Sequence, residues 1–184
     1  DIHSYIYIIY IIYNLNLFNN TLLYLIMKKT VSITYKERQN RDVSFNDIQL
    51  NHTKQLSFIN QLLLDQEYVE KKVIMTELKK KRTGYKSQDT KKNIYNETEF
   101  ICFQDLIELL VCSKLICHYC GHKIFILYEN KLDQKQWTLD RIDNNMGHNK
   151  DNLVISCLDC NLRRGRLNKD KFLYTKKMNI IKQF

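Results

Sequence analysis

The chain has 184 residues and a net charge of +9, from 29 Lys and Arg against 20 Asp and Glu, which allows one ordinary domain plus an appendage. That excess favours a polyanionic partner, nucleic acid ahead of an anionic membrane surface. There is no Pro, no Ala and no internal repeat, and the six Cys are too locally paired for a small secreted disulfide scaffold.

Ile, Asn, Lys and Tyr fill the places of the missing residues, a pattern that follows AT-rich codons. Gly, Arg, Cys and Trp are then the residues such drift would not supply. Three of four Gly, four of seven Arg, four of six Cys and the single Trp fall between residues 117 and 166.

Residues 1–26 carry no Lys or Arg and are dominated by Ile, Tyr, Leu and Asn. The stretch is long enough for a membrane span. Asn14, Asn16, Asn19 and Asn20 interrupt it, however, and it lacks the basic flank and cleavage site of a signal peptide. Met27-Lys28-Lys29 reads as a start, so the preferred expectation is translated upstream sequence, with a membrane anchor second and a native strand or helix third. Residues 27–43 are polar and irregular.

From Ser44 or Asn46 to about Lys81, apolar residues recur at helical spacing, with room for a break. A charge run follows at 79–92, with Lys79, Lys80, Lys81, Arg82, Lys86, Lys91 and Lys92 around Gly84 and Asp89 as its one acid. It reads as a solvated linker or as an arm that tracks phosphates, with Lys86 a contact. Residues 103–115 predict a short helix with Leu106, Ile107, Leu109 and Leu110 on its apolar face. Cys102 and Cys112 fall in that pattern and are expected as buried thiols. Strands are predicted at 124–128, 136–142 and 153–156, and a helix from 158 to about 177. The fold class is therefore α+β. The division expected is 1–26, a helical basic region at 27–98, and a zinc-bound domain at 99–184.

Two C-x-x-C pairs, Cys117/Cys120 and Cys157/Cys160, bracket the informative stretch. Each such turn points two sulfurs at one ion, and two turns close a structural Zn²⁺ tetrahedron with no open position. Free thiolate ligands imply a reducing, intracellular compartment rather than secretion. His118, Tyr119 and His122 then read as packing or surface groups, and Trp137 as packing over the knuckle.

Between the pairs runs Leu139-Asp140-Arg141-Ile142-Asp143, then Asn152, then Asn161 directly after the last cysteine. Here the sequence resembles the HNH, or ββα-metal (His-Me finger), endonucleases. The similarity is to the branch in which two C-x-x-C knuckles enclose the motif, as in recombination endonuclease VII-like proteins and HNH proteins of large DNA viruses. It covers about residues 115–172, and more loosely 84–89 and the helix before Cys117. The resemblance implies a DNA endonuclease that hydrolyses phosphodiester bonds, with a zinc-stapled ββα-metal core and no small-molecule cofactor. Asp140 matches the metal-binding carboxylate, Asn152 the residue bracing the loop between the strands, and Asn161 the second ligand of one Mg²⁺ or Mn²⁺. Related resolvases are dimeric, so a homodimer is a possible state.

The family's general base is usually a His after the carboxylate, where this chain has Arg141. Arginine stays protonated, so Arg141 is assigned to the scissile phosphate. His148, in the loop beside Gly147, becomes the leading candidate base, against a solvent-facing loop histidine. Asp143 is a weaker candidate, better read as a local backbone cap. Arg163, Arg164 and Arg166 are expected at phosphates, extended by Lys169, Lys171, Lys176 and Lys177. The rival readings are a non-catalytic zinc-ribbon module that binds nucleic acid and a membrane-tethered protein.

Overall fold

The computed structural model describes residue 41 and residues 44–178, all within one compact unit, Arg38–Phe184. The segment 1–26, with its upstream-sequence and membrane-anchor expectations, lies outside the described residues. No helix among the described residues is long and apolar enough to cross a membrane. The architecture is α+β, a mostly helical N-terminal part followed by a two-stranded antiparallel hairpin and further helices.

The first apolar pattern forms three helices, α1 (Asp47–Leu50), α2 (His52–Leu63) and α3 (Lys71–Lys91), rather than one. Asparagines make the first break. Asn46 and Gln49 close a capping box on α1, and the Asn51 side chain accepts the Lys54 amide at 3.1 Å to start α2. The second break follows Leu64, where Asp65 turns left-handed at φ 52°.

The charge run at 79–92 is not a linker, because residues 79–91 form the second half of α3. The cause is a stripe at helical spacing. Ile74, Leu78, Tyr85 and Asp89 share one buried face, and Arg82 between them donates to the Ile101 carbonyl at 2.7 Å. Lys79, Lys80, Lys86 and Lys91 point to solvent. Lys81 is half-buried, bonded to the Trp137 carbonyl and, at 2.9 Å, to Gln136 Oε1. Burial, with Arg41 nearby, pulls its amine down to about 7.

Helix α4 (Phe103–Cys112) packs on α2, and Ile59, Ile74, Leu78, Leu106 and Leu110 form the centre of the core. Cys102 and Cys112 are exposed, contrary to the expectation of buried thiols. Cys102 precedes α4 and its Sγ accepts the Asp105 amide as an N-cap.

Strands β1 (Trp137–Arg141) and β2 (Leu153–Cys157) pair with Trp137 opposite Cys157 and Asp140 opposite Val154. The predicted strand at 124–128 does not form. Two of its amides are claimed instead by a buried side chain, since Gln55 Oε1 accepts from Ile126 at 2.7 Å and from Leu127 at 3.1 Å, while those of Ile124 and Phe125 go to the carbonyls of Leu115 and Lys135. The last predicted helix is two, α5 (Leu158–Arg164) and α6 (Lys169–Lys177). Gly165, at φ 53°, ends the first, and Asn168 caps the second through the Asp170 and Lys171 amides.

Candidate metal centre and adjoining cleft

The hairpin and its flanking turns bring four sulfurs together. Cys117 and Cys120 sit on a turn that the His118 amide pins to the Ile155 carbonyl of β2 at 2.9 Å. Cys157 is the last residue of β2 and the N-cap of α5, while Cys160 lies in the first turn of that helix. Their Sγ atoms all lie within 4.8 Å of one another, and Cys120 and Cys157 are 3.9 Å apart. Tetrahedral zinc, with Zn–S bonds of about 2.3 Å, needs sulfurs separated by roughly 3.8 Å. The cluster therefore fits a closed structural zinc. Hydrogen bonding from Cys157 holds the Cys117 thiol down at about 4, whereas burial and that neighbouring charge push Cys160 up to about 12. Without a cation the four sulfurs cannot share negative charge, which is the electrostatic demand zinc meets.

One residue ties this centre to the strand beside it. Tyr119, between the first two cysteines, donates its hydroxyl to Asp140 Oδ2 at 2.6 Å, and its ring packs edge-on against Phe172 of α6. Asp140 Oδ1 accepts from Arg164 Nη1, also at 2.6 Å. Burial pushes the Asp140 carboxyl above the usual carboxylate range, against the opposite pull of Tyr119 and Arg164.

Arg164 is corrected by this geometry. It was expected at a phosphate, but its side chain is 1% exposed. Besides Asp140 it donates to the Arg141 carbonyl at 2.7 Å and the Ile142 carbonyl at 2.9 Å. Spacing explains this: Cys160 and Arg164 are four residues apart and share the buried face of α5.

Alongside lies a cleft of about 1180 Å³. Of the residues singled out in the sequence, Asp140, Arg141, Asp143, His148, Asn161, Arg164 and Arg166 line it, and Lys92 and Asn168 line it too. Asn161 donates Nδ2 to the Leu139 carbonyl at 3.3 Å, one residue from Asp140. Arg141 Nη1 is turned to the carbonyls of Asn144 and Met146 at 3.2 and 3.1 Å. Asp143 caps locally through the Asn145 amide. Asn152 is buried and braces the inter-strand loop. Its Oδ1 accepts the Asp143 amide at 2.8 Å, while Nδ2 donates to the Asp143 and Gly147 carbonyls.

Arg163, Lys169 and Lys86 are not among the cleft residues. Arg163 pairs with Asp159 at 2.8 Å, Lys169 lies 3.8 Å from Asp170, and Lys86 sits over the Tyr95 ring.

His148 is not a solvent-facing loop residue, being 4% exposed. Its amide donates to Asp89 Oδ2 at 2.6 Å and its Nδ1 meets Asp89 Oδ1 at 2.8 Å. The Tyr85 ring lies 4.4 Å from the imidazole, and the Tyr85 hydroxyl accepts the Leu139 amide. Burial holds the imidazole below its usual range, with Asp89 pulling it upward. Asp89, Tyr85 and Tyr119 were not singled out in the sequence as site residues. The signal for the first two was a single acid in a basic run, four residues after a tyrosine.

Gly147 makes this approach possible. A Cβ there would lie 2.6 Å from the Ile94 carbonyl oxygen and 2.9 Å from Asp89 Oδ2. The first contact is backbone and cannot swing aside, so Gly147→Ala is expected to lower stability by about 1–3 kcal/mol, read by thermal melting. A melting point unchanged from wild type would show that the loop does not pack on α3 this closely. No protein-family model, curated protein or solved structure matches the chain, so the functional argument rests on the chemistry of this centre and its cleft.

Proposed function

We propose that the protein is a metal-dependent endonuclease that hydrolyses DNA phosphodiester bonds on a zinc-stapled scaffold. The observation that carries this reading is convergence. A carboxylate (Asp140), an amide (Asn161) and an imidazole (His148) line one cleft together with the basic Arg141, Arg166 and Lys92.

The donors fit a hard divalent cation in kind. A carboxylate offers about four lone-pair positions, and Tyr119 and Arg164 use two of those on Asp140. Asn161 spends its amide NH₂ on Leu139 and has its oxygen to offer. Mg²⁺ accepts such a set when phosphate oxygens and water complete it, and Mn²⁺ substitutes. The guanidinium beside Asp140 lowers affinity for a free cation, so occupancy would depend on the nucleic-acid phosphate. Once bound, the cation would supply charge neutralisation at the phosphate and at the leaving oxygen. Arg166 and Lys92 would hold the strand, Asn152 would keep the loop in register, and His148 would take a proton from the attacking water.

Nicking of supercoiled plasmid in Mg²⁺ or Mn²⁺ tests the reading. Wild type is expected to nick, and Asp140→Asn and Asn161→Ala to nick at least about 10²-fold more slowly, each keeping its zinc, with Asp140→Asn melting lower because it leaves the buried Arg164 without its carboxylate. One observation favours a second reading, a non-catalytic zinc module that binds nucleic acid: Asp140 already has a cationic partner in Arg164. DNA binding by a wild-type protein that cleaves in neither metal would decide for that module.

A further inference from the structure

Helix α3 supplies a group that the proposed chemistry needs and that lies far from the zinc motif in sequence. Asp89 is fully buried, and both its carboxylate oxygens are used on one residue of the inter-strand loop. Oδ2 accepts the His148 amide and Oδ1 faces His148 Nδ1. The loop is held from its other sides as well. The Ile101 amide, just ahead of α4, donates to the His148 carbonyl at 3.0 Å, the Tyr85 ring of α3 lies tilted beside the imidazole, and Gly147 leaves no space for a side chain against Asp89. With Nδ1 turned to Asp89, the other ring nitrogen, Nε2, is left for the cleft that His148 lines.

We propose that Asp89 is a positioning residue that fixes His148 as the Nδ1–H tautomer, so that Nε2 is the bare, proton-accepting nitrogen of the cleft. This rests on the endonuclease reading. A carboxylate on Nδ1–H orients an imidazole base and stabilises the imidazolium that forms as it works, the role the aspartate plays in Ser-His-Asp hydrolases. In the hydrolytic step Nε2 takes one proton from water. The water oxygen bonds to phosphorus as the P–O3′ bond breaks, leaving its electron pair on O3′. Nδ1 keeps its proton throughout, donated in a hydrogen bond to Asp89 Oδ1, and the proton on Nε2 passes afterwards to O3′ or to solvent.

A buried ion pair serving only to fasten the loop would need the same distances, but it would make no demand on tautomer. Among the described residues, the charged and titratable groups facing His148 are Asp89 and Lys92 from α3 and its end, Tyr85 from the same helix, and Arg141 from β1. Asp89 is the one whose removal lowers the proton affinity of the ring, since Lys92 and Arg141 act in the opposite direction.

The test joins ¹⁵N NMR of the histidine rings with cleavage kinetics. In wild type at neutral pH, His148 is expected with Nδ1 protonated and Nε2 bare. Asp89→Asn keeps size and one acceptor but places an NH₂ against Nδ1, which drives the proton to Nε2. The variant is expected to lose about 10²- to 10⁴-fold in kcat with KM little changed. The acidic limb of its pH profile moves to lower pH, because the carboxylate that favours the imidazolium is gone. An Nε2–H tautomer in wild type would overturn the proposal whatever the variant does, including if the variant fails to fold. So would a folded, zinc-bound Asp89→Asn protein with wild-type kcat and an unmoved limb. A wild type that cleaves no DNA overturns the endonuclease reading itself, and the Asp89 role with it. Cleavage that is present and indifferent to Asp89 overturns the positioning role alone.

Discussion

Cys157→Ser is expected to abolish the cooperative melt of the hairpin region and to release zinc from a protein that otherwise carries about one ion per chain. Three roles meet at this residue. It pairs with Trp137 at the end of β2, its sulfur is one of the clustered four, and the same sulfur caps α5 at the Cys160 amide. Structural zinc contributes on the order of 10–16 kcal/mol in zinc-finger peptides, as much as or more than the roughly 5–15 kcal/mol by which whole domains are stable. Loss of one ligand of four therefore removes most of what holds β1, β2 and α5 together.

The helical layer of α2, α3 and α4, built on Ile59, Ile74, Leu78, Leu106 and Leu110, holds none of the four clustered cysteines. It is expected to keep part of its far-ultraviolet circular dichroism after the hairpin has melted. Adding a chelator or lowering the pH should act in the same direction, because thiolate ligands must stay deprotonated to hold the ion. Cys112→Ser serves as the control. Its thiol is exposed, and surface exchanges of this kind stay within about 0.5 kcal/mol. A Cys157→Ser protein that melts like wild type would show that the four sulfurs do not share a metal.

Arg164→Ala is expected to cost about 3–5 kcal/mol, the range for breaking a buried ion pair from one side. The pair is enclosed, with the two side chains 1% and 4% exposed, so water cannot replace the lost partner. Three acceptors are left behind: the Asp140 carboxylate and the carbonyls of Arg141 and Ile142. Burial already pushes the Asp140 carboxyl upward, and without the guanidinium it would rise further and favour its protonated form. Arg164→Lys keeps a positive charge but cannot reproduce the fork, so an intermediate loss is expected. Denaturant titration of the three proteins checks the order. A loss below about 1 kcal/mol for Arg164→Ala would mean that Arg164 is hydrated and that Asp140 has no buried partner.

The contact also bears on the proposed catalysis. A carboxylate shared between tyrosine, arginine and a proposed cation is poised between a structural and a catalytic use. The nicking assay separates the two.

Some of this was legible in the residues and some was not, for identifiable reasons. The two C-x-x-C pairs carry their chemistry in local spacing, so the metal cluster could be read before any fold was known. The hairpin between them and the helix after Cys157 also followed from pattern, and the residues proposed for the second metal, Asp140 and Asn161, lie on one cleft. The charge run at 79–92 misled, because composition speaks of solvent while the stripe from Ile74 to Asp89 speaks of a buried face. That stripe has meaning only once the hairpin is there to cover it. The missing strand at 124–128 is a similar case, because no periodicity reveals that Gln55, some seventy residues earlier, will take two of its amides.

Arg164 and Asp89 show the same division in the site itself. By type they belong on a surface, since charged side chains are rarely buried without partners. Each is enclosed because a partner of opposite or complementary character arrives from elsewhere in the chain, Asp140 for the arginine and His148 for the aspartate. The sequence by itself therefore determined the ligands of the metal cluster, the α+β class and the basic character, all of which depend on neighbours a few residues apart or on sums over the whole chain. Only the tertiary structure decided which charges are solvated and which are buried in pairs. The energy of a charge is set by what surrounds it in space, and here the partners lie 24 and 59 residues away.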